Sequence, residues 1–257
     1  MNLVQEKIVE LESMKNYPKQ LFFSGNLELL KKTKISIVGS RKPSKYSRLL
    51  THKIASTLSK NGVCVVSGGA MGIDAIAHKS AGEENTISVL PCGINIKYPS
   101  INKNLLEGIE KSGLLLSQFE KDFRATPWSF VVRNEVVVAL GDVLVVIEAE
   151  LKSGSMRSIE IALKMGKEIF VIPHRVGESE GTNELLKLGK AKAIYDVDEF
   201  VSRFASSEVL EKKVDDFIEF CQTNPTYDEA LKIFPQRVFE AELNGDINIQ
   251  NGRVLPS

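Results

Sequence analysis

The chain has 257 residues, of which 43% are hydrophobic and 26% charged, enough for a substantial core in one large domain or in a typical domain with a small appendage. Cys64, Cys92 and Cys221 are scattered without metal-ligand or redox spacing, and with only His52, His78 and His174 beside them they leave no zinc-ligand set and suit a reducing compartment. The 33 basic and 33 acidic residues cancel, no apolar run approaches the roughly twenty residues of a membrane helix, and the charged N-terminus lacks a signal-peptide core, so a soluble, cytoplasmic protein is expected.

Zero net charge hides an asymmetry. Residues 29–73 hold nine basic side chains and no Asp or Glu, whereas residues 205–257 hold ten acidic residues against five basic ones. One end of the fold is therefore expected to present an anion surface, and the tail to repel phosphates.

In chain order, residues 1–33 read as an N-terminal extension, a partial helix followed by an extended packing segment. KISIVGS (34–40) is the first of several short β-branched runs expected as buried strands. It delivers Gly39, Ser40 and Arg41, with Lys42 beside them, to a sheet edge. There glycine permits close backbone approach, serine donates to a phosphate oxygen, and the arginine fork grips phosphate with two N–H groups. A helix over 46–59 follows, then the strand VCVVSG (63–68), the turn SGGAMG and a helix over 73–80.

Ser67, Gly68, Gly69 and Ala70 lie in that turn, where free N–H groups and the helix start suit an anion. The turn lacks both the G-x-G-x-x-G fingerprint and a Walker-type lysine, so neither a dinucleotide nor ATP is expected as cofactor. Asp74 and His78, four residues apart, are expected to face each other as a structural pair rather than a catalytic one.

TISVL (86–90), the loop PCGINIKYP, a helix over 102–111 and LLLSQF (114–119) continue the alternation. EKDFRATPWSFVVRNEVVVAL then interleaves Lys121, Arg124, Arg133 and Asn134 with aromatic rings. That pattern suits single-stranded nucleic acid, because cations track phosphates and rings stack on bases. Its helix, 127–140, is expected to bury Trp128 and to present Arg133 and Asn134. VLVVIEAE (143–150) carries Glu148, a lone carboxylate with no second acid or nucleophile at catalytic spacing. Ser153, Gly154 and Ser155 follow at the start of a helix over 155–165, a further anion-friendly turn. EIFVIP (168–173) and AKAIYDV (191–197) complete seven expected strands.

Strands apolar on both faces, alternating with helices, imply a mostly parallel α/β sheet over 34–204, with helices on both faces and a site at the strands' carboxyl ends. Near residue 205 the pattern breaks. VDDFIEFCQ, TYDEALKIF and QRVFEAELNGD read as three helices, and INIQ and RVLP flank the hairpin turn Asn251-Gly252. Residues 205–257 are thus expected to form a small winged-helix-like domain. Its second and third helices hold only Lys232 and Arg237 against five acids, so this domain is expected to contact protein rather than to read duplex DNA alone.

VGSRKPSKYS, VVSGGAMGIDAIAHKSAG, TISVLPCGINIKYPSINKNL, LLLSQF, FVVRNEVVVALGDVLVVIEAELKSGS and GKEIFVIP resemble, in order and spacing, the DNA-processing protein A (DprA, or Smf) family over about residues 20–200. The resemblance implies an extended Rossmann fold that binds single-stranded DNA with no cofactor and no catalysis. It further implies a homodimer that protects incoming DNA during natural transformation and helps load the RecA recombinase. Carried over by position, the pocket would draw on Ser40, Arg41, Ser67 to Ala70, Arg133 and Asn134, and less regularly on Lys121 and Arg124. The chain departs from the family pattern at Glu135, where a second arginine is usual, at Gln118, at Ser155-Met156-Arg157-Ser158 and at Pro173-His174. Whether Arg157 supplies the cation missing at Glu135 stays open. Two other readings compete: a nucleotide-processing hydrolase of the phosphoribohydrolase kind, whose PGGxGTxxE motif SGSMRSIE matches loosely with Glu160, and a protein adaptor whose basic patch is incidental.

Overall fold

Alternating apolar strands and amphipathic helices organise the larger of two compact units, Met1–Ser206; the smaller is Ser207–Ser257. The computed structural model describes residues 2–205, 216–235 and 237–256. In the larger unit β1 (Asn2–Leu3) and β2 (Phe22–Gly25) precede β3 (Lys34–Val38). Strand and helix then alternate: α1 (Lys45–Lys60), β4 (Cys64–Ser67), α2 (Ile73–Ala81), β5 (Thr86–Leu90), α3 (Lys103–Ser112), β6 (Leu114–Ser117) and α4 (Pro127–Leu140). The remainder is β7 (Val143–Val146), α5 (Gly154–Lys164), β8 (Glu168–Val171), α6 (Glu180–Lys187), β9 (Lys192–Ala193) and α7 (Val197–Ser202).

The nine strands form one sheet in the order β1-β2-β6-β5-β4-β3-β7-β8-β9. β3 to β9 pair in parallel, while β2 runs antiparallel to β6 and β1 antiparallel to β2. From β3 the chain steps outward through β4, β5 and β6, then returns to β7 on the other side of β3. The loops leaving β3 and β7 therefore diverge, and the crevice between them is the switch point where ligands of such sheets gather.

Both faces are covered, which is why the strands read as unbroken apolar runs. Ile35 and Ile37 pack with Ile54 and Leu58 of α1, Ile73 and Ala77 of α2, and Phe200 of α7. Val38, Val66 and Val146 share the opposite core with Val136 to Leu140 of α4, Ile159 of α5, and Leu11 and Leu29 of the N-terminal segment.

Expectations about the strands and the charge distribution change in three places. The N-terminal extended segment is part of the sheet, since Phe22–Gly25 pairs with β6 and widens it. The expected strand 191–197 shrinks to two residues, because the Asp196 side chain accepts from the amides of Asp198 and Glu199 and starts α7 instead. The acid-free basic run is also not one surface. Lys34, 2% exposed, is held at the amino end of β3 by Glu10 and by the carbonyls of Leu30 and Lys32, whereas Arg41 and Lys42 leave the carboxyl end. A five-residue strand separates them by roughly 17 Å.

The smaller unit contains helices Asp216–Gln222, Tyr227–Ile233 and Arg237–Asn244, followed by an antiparallel pair, Ile247–Gln250 with Arg253–Pro256. Val214, Asp215 and Gln236 of the expected helices, and the expected domain junction from 206 onward, lie outside the described residues. Phe217, Cys221, Ala230, Val238 and Val254 form this unit's own core.

The expected Asp74–His78 pair is not made. Thr86 Oγ1 donates to Val65 O at 2.7 Å, so it accepts from His78 Nδ1–H at 2.7 Å, and buried Nε2 is left without a partner among the described residues. Burial, helped by the charge of Arg133, pushes the imidazole pKa down to about 3. An unfolded histidine titrates near ~6.5. Between those values the unfolded chain binds more protons, so this stabilisation is complete above the unfolded pKa and is lost as pH falls toward 3. The unfolding free energy from urea titrations should fall by up to ~1.4 kcal/mol per pH unit from this group between neutral and mildly acidic pH, and the slope should flatten in His78→Gln. Equal slopes in the two proteins would count against the buried neutral tautomer.

Candidate nucleic-acid interface

The turn after β3 is fixed from below by Glu148, whose Oε2 accepts from Ser44 N at 2.9 Å and Ser47 Oγ at 2.6 Å. Desolvation raises the Glu148 pKa, but bonds from Ser47, Ser44 and Ser40 outweigh it and hold the carboxyl below its usual value. The lone carboxylate is thus an anchor for this turn. Above it, Ser40 Oγ accepts from Lys42 N at 3.1 Å, and the Arg41 side chain is exposed over the Phe130 ring, 5.5 Å from its centroid.

The glycine turn after β4 is organised by Asp74. Its Oδ2 accepts from the amides of Gly68 and Ala70 at 3.2 and 3.3 Å, so two N–H groups expected to face a phosphate are already engaged. Asn102 Nδ2 donates to the carbonyls of Gly69 and Ala70, and Ser67 Oγ donates to Ile37 O. Ser67, Gly68 and Gly69 are buried, and of the four turn residues only Ala70 lines the main cleft.

Arg133, expected to be presented to solvent, is 4% exposed. Its Nη1 donates to the carbonyls of Gly68 and Val89, and a side chain on Gly68 would collide with the guanidinium. Burial pushes the Asp74 carboxyl up, against the pull of the Arg133 charge and of the two amides. Arg133 therefore ties α4 to β4 and β5 while still forming part of the cleft wall.

α4 starts at a capping box, in which Ser129 N donates to Thr126 Oγ1 and Thr126 N donates to Ser129 Oγ, with Pro127 in the first turn. This start places Phe130 at the cleft, with the Arg41 and Arg133 guanidinium carbons 5.5 and 5.9 Å from its ring centroid and the Tyr98 ring at 5.9 Å. Trp128, expected in the core, is 62% exposed and touches Phe119 edge-on.

Across the switch point, Ser153 begins α5 with no side-chain cap, and its Oγ is buried without a hydrogen-bond partner among the described residues. Ser153, Gly154 and Ser155 form one wall of a cleft of about 520 Å³ whose other walls are Ser40, Arg41, Ala70, Phe130, Arg133 and Asn134. Arg157 lies on its rim, paired with Glu160 at 3.2 Å, and Glu150 is the acid on the same side.

Eight of the expected site residues thus meet: Ser40, Arg41, Ala70, Arg133, Asn134, Ser153, Gly154 and Ser155. Lys42 is exposed just outside, Lys121 is exposed on the β6–α4 connection, and Arg124 lines a separate hollow. The sequence reading missed Tyr98 and Met71, although KYP and SGGAMG were already assigned to loops at this edge. The arrangement offers an exposed guanidinium, an uncapped helix start and an aromatic face, which together fit a phosphate with a base or sugar beside it. Among the described residues no group of His, Cys, Asp and Glu could hold a metal ion, and no helix is long and apolar enough to cross a membrane.

A family model described as DNA recombination-mediator protein A matches residues 6–205. The chain is 36% identical over 185 residues to protein Smf of Escherichia coli and 35% identical over 184 residues to the DNA processing protein DprA of Streptococcus pneumoniae. Each match covers 70% of this chain, but only 50% and 65% of those proteins. A solved structure of Helicobacter pylori DNA processing protein A, described for its single-stranded DNA binding mode, superposes with a TM-score of 0.77 at 39% identity, covering 82% of this chain and 96% of that one.

Proposed function

The chain belongs to the DNA recombination-mediator protein A family, and on that premise we propose that its switch-point cleft binds single-stranded DNA without sequence preference and without chemistry. The observation that carries the reading is Arg41, exposed over the Phe130 ring and facing the uncapped start of α5 across the cleft. Arg41 and the α5 amides hold phosphate, while Phe130 gives a base a surface to stack on. The Helicobacter pylori relative's single-stranded DNA binding supports the same ligand class.

In this reading the protein works in the cytoplasm as a homodimer, shields incoming strands during natural transformation and helps load RecA onto them. The smaller unit, winged-helix-like in element order, exposes Phe239, Glu240 and Glu242 on its third helix, a face suited to protein rather than to phosphate.

Equilibrium binding of oligonucleotides of differing base composition tests the reading. Arg41→Ala is expected to weaken every sequence alike, by about tenfold, the worth of one charged hydrogen bond. A wild type that ignores single strands would remove this reading, and one that releases free base from nucleoside monophosphates would replace it with the hydrolase alternative.

A further inference from the structure

Beyond the main cleft the sheet edge carries two more depressions. A small apolar notch between Met71, Pro91, Tyr98 and Phe130 shares Arg41, Ala70, Phe130 and Arg133 with the cleft. Tyr98 is also a wall of the next hollow, completed by Ile96, Asp122, Arg124 and Ala125. The cleft uses loops after β7, β3 and β4, the notch loops after β3, β4 and β5, and the hollow loops after β5 and β6. The three therefore follow one another in the order of the strands. Four inter-strand steps span roughly 19 Å at ~4.8 Å each. A stacked strand rises ~3.4 Å per nucleotide, so the track holds at most about six nucleotides.

We propose that the Tyr98–Arg124 hollow is a second subsite for the same DNA strand, taking a nucleotide several positions away from the one at Arg41. The proposal rests on the single-stranded DNA reading above. Tyr98 is 44% exposed and meets Phe130 edge-on, so its ring continues the aromatic surface out of the cleft. Arg124 is exposed and supplies the cation for a flanking phosphate. The one acid of the hollow, Asp122, is tied into the loop: its Oδ1 accepts from Asn95 Nδ2 at 2.6 Å, and its amide donates to Asn95 Oδ1 at 3.0 Å. Two subsites on one track require that affinity rise with length until a strand reaches both.

The test is binding of a ladder of oligothymidylates, beginning at the dinucleotide, to the full chain, to Arg124→Ala and to Arg124→Lys. Short oligonucleotides should bind all three proteins equally. Those long enough to span the track should bind Arg124→Ala about five- to tenfold more weakly than wild type, and Arg124→Lys should recover most of the difference. An equal loss at every length, or no loss at any, overturns the subsite and leaves the cleft standing. A wild type that binds no member of the ladder overturns the cleft and the subsite together.

Discussion

Replacing Arg133 by methionine is expected to destabilise the protein by about 3–5 kcal/mol, because it removes a buried cation and leaves its carbonyl partners and the nearby Asp74 carboxyl inside. The guanidinium is fully inside, bonded to the carbonyls of Gly68 and Val89, and its charge is the main influence opposing the desolvation of Asp74. Methionine fills most of the volume but leaves two carbonyls and a carboxylate buried without their cation. The loss carries a pH signature. Burial already raises the Asp74 pKa, and removing Arg133 raises it further. For an acid raised in the folded state, the penalty is complete above the folded pKa and fades as pH falls toward the unfolded value near ~3.9. Urea midpoints should therefore move toward wild type under acid conditions, leaving the part of the loss that comes from the two carbonyls. Adding Asp74→Asn to Arg133→Met should recover part of the loss at neutral pH. If Arg133→Met were as stable as wild type, the buried guanidinium would not be what holds α4 against β4 and β5.

Gly72→Ala is expected to be comparably damaging, for a backbone reason. Gly72 has φ +79° at the start of α2, and an added Cβ would strike Ser40 O and lie 2.7 Å from Arg41 C and Cα. The amide of Ile73 donates to Ser40 O at 3.1 Å, so the β3 and β4 turns are hydrogen-bonded at this point. Left-handed strain and overpacking against backbone together cost about 2–6 kcal/mol. The only relief is to push the Ser40–Arg41 turn away, which moves the cation out of the cleft. Both Tm and single-stranded DNA affinity should drop. For Tm alone, Gly154→Ala is the matched control, since a Cβ there meets nothing within 4 Å, and it should stay within about 0.5 kcal/mol of wild type. A Gly72→Ala protein with wild-type Tm and affinity would mean that the two turns move independently.

Most strands and helices of the larger unit were legible because helices cover both sheet faces, which turns each parallel strand into a continuous apolar run between amphipathic segments. Phe22–Gly25 escaped because an edge strand of four residues, paired on its far side only by two more, leaves no periodic signal. The site's loops were legible from glycine, serine and arginine at strand ends. The direction of α4's polar residues was not, because SFVVRNEVVVAL is apolar nearly all round. Only the carbonyls of Gly68 and Val89, brought in by other strands, decide that Arg133 turns inward. Trp128 sits in the first turn of α4, before the helix reaches the core, and so stays outside despite its size. The meeting of Phe130 with Tyr98 and Arg41 joins the first turns of α4 to two separate loops and is a tertiary fact.

The central claim is that Arg41 holds a phosphate of single-stranded DNA in the switch-point cleft. The most direct measurement is the affinity of one oligothymidylate across a salt series, for wild type beside Arg41→Ala. Each phosphate neutralised on a single strand contributes about 0.7 to the slope of log K against log salt. The predicted result is strongly salt-dependent wild-type binding and a variant slope smaller by about 0.7. Salt-insensitive wild-type binding, or an Arg41→Ala protein with the wild-type slope and affinity, would contradict it.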